Sequence, residues 1–238
     1  MRILITNDDG IHAEGLLPFA KWAQKLGEVI VAAPMVEQSG KSHGIEIHKP
    51  FRVEAVELAP GIRGYSVDST PADCVRYALL GRQEKVDFVI SGINKGLNVG
   101  KDIMYSGTVA AVFEASALGI PAMAVSADPK IYDAAVEHMD RIWTYITQRD
   151  LYGKHDLYNV NIPVEAGDIR ITRQGGPYYS DDFVTKDGWC TPVGKPVYAP
   201  RGDLSLDTEA VLTGGFISIM PLALERTERR VFEALQTE

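Results

Sequence analysis

Apolar runs with no polar face constrain this chain most. Arg2–Thr6 (RILIT), Glu28–Ala33 (EVIVAA), Phe88–Ser91 (FVIS) and Ala122–Ser126 (AMAVS) are apolar nearly throughout. A strand with one face in water alternates apolar and polar residues, whereas a strand covered on both faces does not. Between these runs lie stretches with helical spacing: Glu14–Leu26, Thr108 to Leu118, and Asp133–Gln148. In the last, Ala135, Val136, Met139, Ile142, Trp143 and Ile146 share a face. Doubly covered strands separated by helices imply a parallel sheet. The first half predicts an α/β fold, Rossmann-like, with a mostly parallel sheet and helices on both faces.

Thr70-Pro71-Ala72-Asp73 reads as a helix start, with a capping Thr, Pro at the first position and Asp in the first turn. A β-rich insert, Ile45–Val67, precedes it. Beyond residue 155 the pattern becomes strand-rich: Tyr158–Ile162, Asp168–Arg173 and Phe216–Met220, then a charged helix near Leu224–Gln236. This divides the chain into a core, 1–155, and a C-terminal strand-rich arm, 156–238, within one continuous domain.

The formal charge is −8, from 24 basic and 32 acidic residues. That balance argues against long nucleic acid, which is held through its phosphates, and leaves room for a small phosphorylated ligand. The two cysteines, Cys74 and Cys190, form no zinc or disulfide framework and fit a reducing compartment. No apolar run reaches the length of a membrane span, and the opening is too short for a signal peptide. The expected location is the cytoplasm.

In an open α/β sheet, ligands bind beyond the carboxyl ends of the strands. ITNDDG (residues 5–10) leaves the first strand directly into Asp8 and Asp9. Adjacent carboxylates repel and resist desolvation, so they mark either a solvated turn or a cation. The second strand runs into APMVEQSGKSHG, with Glu37, Ser39, Gly40, Lys41 and His43. Phe88–Ile90 runs into SGINKGLNVG, with Asn94, Lys95 and Asn98. Polar, Gly-rich loops thus follow three strands on one sheet edge. Asp8, Asp9, Ser39 and Asn94 offer hard oxygen donors, which suit Mg²⁺, Mn²⁺ or Ca²⁺. Ser106-Gly107-Thr108 opens a helix, whose free N–H groups and dipole favour an anion. Ser106 also reads as its cap. A cation beside an anion site points to a phosphate ester. His12 and His43 lie in candidate site loops, where either can approach a leaving group or simply be solvated. A dinucleotide fingerprint, a P-loop and a GxSxG elbow are all missing.

These motifs together resemble the SurE family of metal-dependent 5′-nucleotidases. The resemblance rests on ILITNDDGIHAEGL, VAAPMVEQSGKSH, VDSTPADCVRYAL, SGINKGLNVGKDIMYSGTVAAVFEASALGIPAMAVS, NVNIP, TRQG and DTEAVLTGGFISIMPL, in that order. It implies one divalent metal per subunit, Mg²⁺ or Mn²⁺, held by Asp8, Asp9, Ser39 and Asn94. It places Asn98, Ser106, Gly107 and Thr108 along the phosphate, with Asp8, Asp9, Asn98 and Ser106 as the catalytic group. Departures are Gly176-Pro177 in GGPYYSDDF and Met220 in SIMPL.

The implied activity is hydrolysis of nucleoside 5′-monophosphates. A nucleotide-binding sensor without turnover and a metal-dependent nucleoside hydrolase are the alternatives; for the latter the sequence offers no base-stacking aromatic near the loops. The C-terminal strands are short and broken by Gly and Pro, while Val197, Tyr198, Val211, Leu212, Phe216, Ile217 and Ile219 need cover. They pack on their own domain or exchange between subunits. The resemblance favours exchange, hence a homodimer or homotetramer with much of its interface beyond about residue 185.

Overall fold

The computed structural model describes residues 1–180 and 182–236. Asp181, within the GGPYYSDDF stretch, and residues 237–238, at the end of the expected arm, lie outside the described residues.

The strands in chain order are β1 (Arg2–Thr6), β2 (Glu28–Pro34), β3 (Val53–Ala59), β4 (Ile62–Val67), β5 (Phe88–Lys95), β6 (Ala122–Ala127), β7 (Leu157–Ile162) and β8 (Ile169–Ile171). There follow β9 (Tyr179–Ser180), β10 (Phe183–Lys186), β11 (Trp189–Pro192), β12 (Lys195–Pro196) and β13 (Ile217–Pro221). Nine form one sheet in the order β3-β4-β2-β1-β5-β6-β7-β13-β8. Its centre, β4 through β7, is wholly parallel, while β3 and β13 run antiparallel to β4 and β7.

The apolar runs behave as their composition requires. Consecutive residues of β1 enter opposite cores: Ile3 and Ile5 pack with α1 (Leu16–Ala23) and α4 (Met139–Gln148), while Leu4 packs with α2 (Pro71–Arg76) and α3 (Gly107–Ala117). Each side is therefore roofed by helices. Cys74 is fully buried in the second core and Cys190 is exposed. Thr70 caps α2 by accepting the Asp73 N–H at 3.2 Å.

Three expectations shift. The helix read over Asp133–Gln148 is a 3-10 stretch, Pro129–His138, followed by α4. Apolar spacing over so few turns does not separate 3.0 from 3.6 residues per turn. In the insert only β3 and β4 form strands. Residues 45–51 stay irregular because the Glu46 carboxylate takes the backbone N–H of His48 and Lys49, at 2.7 and 3.0 Å, which competes with strand pairing. The C-terminal helix, α6, shortens to Arg229–Leu235.

The sheet does not stop at residue 155. β13 inserts between β7 and β8, so Ile217 and Ile219 are fully buried in the protomer's own core, and Val211 of α5 (Asp207–Leu212) is nearly so. Those residues need no partner for cover. What leaves the body is the segment carrying β9–β12, in which every described residue from 182 to 197 is exposed. Among the described residues no helix is long and apolar enough to cross a membrane.

Candidate active site

Strand β1 has β2 on one side and β5 on the other, so chain connections diverge there and leave a crevice at the carboxyl ends. The loop after β1 is folded on itself: the Asn7 amide donates to the Gly10 carbonyl at 3.0 Å, and Gly10 N–H donates back to Asn7 Oδ1 at 3.1 Å. The loop after β2 is tied to it by Gln38 N–H donating to the Asp8 carbonyl at 2.7 Å.

The start of α3 lies directly on Asp8. Thr108 donates its backbone N–H to Asp8 Oδ2 at 3.2 Å and its hydroxyl to Oδ1 at 2.5 Å. A Cβ on Gly107 would stand 2.9 Å from Asp8 Cβ and 3.1 Å from Pro71 Cγ, so only glycine allows this approach. Ser106 caps the helix, its Oγ accepting the Val109 N–H at 3.1 Å, which leaves its O–H free to donate.

Burial raises the Asp8 pKa from its ordinary value, against the Thr108 bonds that lower it. The Asp9 carboxyl is pushed up to about 6, by burial first and by the Asp8 charge second. Lys95 N–H donates to Asp9 Oδ2 at 3.4 Å. At the end of β5 the register against β6 slips between Ser91 and Asn94, a bulge that re-aims the strand end. The Asn94 amide nitrogen donates to the Gly96 carbonyl at 2.8 Å, which leaves its oxygen as the free end. Ser39 is exposed and donates to Glu37 Oε1 at 2.6 Å, keeping its lone pairs.

Asn98 is pinned from beneath. Its N–H donates to Asn161 Oδ1 at 2.8 Å, its carbonyl accepts from Asn159 and Asn161, and its amide donates to Ser126 Oγ at 2.8 Å. One amide N–H and the amide oxygen remain. Asp8, Asp9, Ser39, Asn94, Asn98 and Ser106 line a single cavity of about 360 Å³. Gly107 and Thr108 are off its wall; Thr108 is fully buried behind Asp8 with both donors spent there. Glu37, Asp102 and Tyr105 also reach the wall. The sequence signal for Tyr105 is its place just before the cap.

The histidines separate. His12 lies on a different depression beside Val56 and Leu58. His43 Nε2 meets Glu114 Oε2 at 2.8 Å. Among the described residues no group of three or more His, Cys, Asp or Glu forms a metal cluster. The fit of a cation rests instead on oxygen: two desolvated, mutually repelling carboxylates beside a hydroxyl and an amide oxygen. That set matches a hard divalent ion.

The family model "Survival protein SurE" matches residues 3–181. A 5′-nucleotidase SurE of Gemmatimonas aurantiaca is 42% identical, covering 97% of this chain and 96% of that protein. One of Syntrophotalea carbinolica is 38% identical over 99% of this chain and 96% of that protein. The crystal structure of the SurE protein from Aquifex aeolicus superposes with a TM-score of 0.80 at 30% identity, covering 100% of this chain and 99% of that one. Fold, motifs and full-length similarity agree, and this chain belongs to the SurE family.

Proposed function

We propose that the chain is a metal-dependent 5′-nucleotidase that hydrolyses nucleoside 5′-monophosphates to nucleoside and inorganic phosphate. The observation that carries this reading is one cavity holding a desolvated carboxylate pair, Asp8 and Asp9, opposite the capped N-terminus of α3. The names of the relatives support the same activity.

When bound, a divalent cation, Mg²⁺ or Mn²⁺ at one per subunit, neutralises phosphoryl charge and acidifies water. Asp8 and Asp9 hold that charge, with Ser39 and Asn94 completing the oxygen set. Thr108 fixes the Asp8 carboxylate through two bonds, so its oxygens do not reorganise during the reaction. The Ser106 O–H and the remaining Asn98 amide N–H donate to the phosphoryl oxygens as negative charge grows there. The dipole of α3 favours the same charge, although the Thr108 and Val109 N–H groups of its first turn are already engaged, with Asp8 and with the Ser106 cap. No cysteine lines the cavity. The attacking group in this reading is water or the Asp8 carboxylate, and a covalent acyl phosphate trapped on the enzyme distinguishes the second from the first.

The same reading assigns residues 1–155 to catalysis and the projecting part of 156–238 to a homodimer or homotetramer. It places the protein in the cytoplasm, consistent with Cys74 and Cys190 both being free. The test is phosphate release from a panel of 5′-nucleotides with Mg²⁺, Mn²⁺ or chelator. Metal-dependent phosphate release is expected. Free base without phosphate identifies a nucleoside hydrolase, and nucleotide binding without either product identifies a sensor.

A further inference from the structure

A second cavity, about 1000 Å³, opens on the far side of Ser106, which lines both. Its floor is one face of α3: Ser106, Ala110 and Phe113 follow the i, i+4, i+7 spacing of a helical stripe. Phe113 supplies the aromatic surface that the sequence did not place near the loops. His43 stands on the wall of this cleft.

His43 is held with unusual care for a loop residue. Its neighbour Ser42 donates its N–H to the Tyr105 carbonyl at 3.1 Å and its hydroxyl to the Met104 carbonyl at 2.6 Å. Gly44 on the other side accepts the Thr70 hydroxyl at 2.7 Å. The ring itself is fixed at Nε2 by Glu114, a buried carboxylate whose other oxygen takes Arg76 at 3.0 Å. Its plane lies 24° from that of Phe113, with centroids 6.4 Å apart. With Nε2 engaged, Nδ1 is the one polar atom left to the imidazole.

Position decides what that atom can meet. Glu114 stands eight residues beyond Ser106, a rise of about 12 Å along the helix. That rise is the length along which the Glu114 bond draws the His43 ring away from Ser106. It matches the stretch from a 5′-phosphate to the far edge of its base. Resting on the nucleotidase reading, we propose that the nucleoside half of the substrate lies along this cleft, over Phe113, and that His43 Nδ1 reads the polar edge of the base. His43 is thereby a specificity-determining residue, and Glu114 with Arg76 positions it.

AMP and IMP test this, because they differ only along one edge of the base: an amino group beside a bare N1 in AMP, an oxo group beside N1–H in IMP. The wild-type protein is expected to discriminate between them by roughly tenfold in kcat/KM, the worth of one hydrogen bond. His43→Ala is expected to bring the ratio close to one, with the loss on the preferred nucleotide falling mainly in KM. Glu114→Gln, which weakens the bond that holds the ring, lowers the ratio partway. Phe113→Ala raises KM for both and leaves the ratio unchanged. A purely structural His43 weakens both substrates alike, so an unchanged ratio in His43→Ala overturns the inference, as does a wild-type ratio of one. If the wild-type protein cleaves neither nucleotide with Mn²⁺ or Mg²⁺, the nucleotidase reading falls and carries this one with it.

Discussion

The switch-point loops and the β10–β11 hairpin are both polar, Gly-containing excursions from the same body, yet they are stabilised in opposite ways. The loops are bonded across long chain separations: Asp8 is held by Thr108, Asn98 by Asn161, Gly100 by Asp207. The hairpin pairs Phe183–Lys186 with Trp189–Pro192 and leaves Phe183 61% and Trp189 80% exposed. Desolvated polar groups must be paired, and that pairing freezes the loops. An isolated two-stranded ribbon gains little from its own ladder, and its exposed rings invite a neighbour. One region is rigid because its charges are buried. The other leaves its apolar groups in water.

The largest expected effect lies in the first region. Asp8→Asn and Asp9→Asn should each lower turnover by more than about a hundredfold, beyond what changes in second-layer groups cost a metal site. Their effects on stability should differ. Asp9→Asn removes the repulsion between the pair, so the metal-free protein should melt higher. Asp8→Asn turns an amide N–H₂ toward one of the two Thr108 donors and should not gain. Near-native activity of either variant at saturating Mn²⁺ removes it from the site.

Thr108→Val comes next. The swap keeps shape and deletes the hydroxyl bond to Asp8, a charged acceptor whose loss costs about 1.5–3 kcal/mol. Activity should fall roughly ten- to a hundredfold, because the carboxylate it orients is freed. Unchanged activity would show that the backbone N–H alone suffices. This role was hidden in the sequence. Asp8, Asp9 and Ser39 follow strand ends and Asn94 stands at the end of β5, just past its apolar run, so their convergence on one sheet edge is legible from apolar runs. Thr108 opens a helix, which reads equally well as a phosphate contact. Only the crossing of α3 over the β1 loop, a contact 100 residues apart, aims its donors at Asp8.

The hairpin answers to excision rather than truncation. A cut after Tyr179 would remove β13, which stands inside the sheet, and so destroy the body. Ser180 and Lys195 are already partners, so replacing residues 181–194 with Asn-Gly closes the gap as a two-residue turn. Melting should change by no more than a few degrees, while sedimentation should show weaker association than the full chain. A monomeric full chain, or equal association after excision, removes the hairpin from the interface. Here too the sequence was partly legible. The Gly- and Pro-broken strands announced a projecting segment, but the same pattern made Val211, Ile217 and Ile219 look equally unsheltered. The insertion of β13 beside β7 is a non-local pairing that no local pattern encodes.

The smallest effect tests whether the first region is strained by its own charge. Folding raises the Asp9 carboxyl to about 6, by burial and then by the Asp8 charge, from an ordinary value of 3.8. Between those values folded Asp9 keeps a proton that the unfolded chain has released. The folded state therefore binds more protons, and stability falls as pH rises through that window. The contribution is present in full below pH 3.8 and lost above about 6. Metal-free protein should show this downward slope in melting temperature on top of the slopes of its other groups, and Asp9→Asn should lack it. Saturating Mn²⁺ should remove it as well, because a cation that binds only the ionised pair returns stability as pH rises. The hairpin excision should leave the slope untouched. If wild-type and Asp9→Asn melting curves run parallel from pH 4 to 7, the Asp9 carboxylate is not held against its charge and the contrast between the two regions loses its electrostatic half.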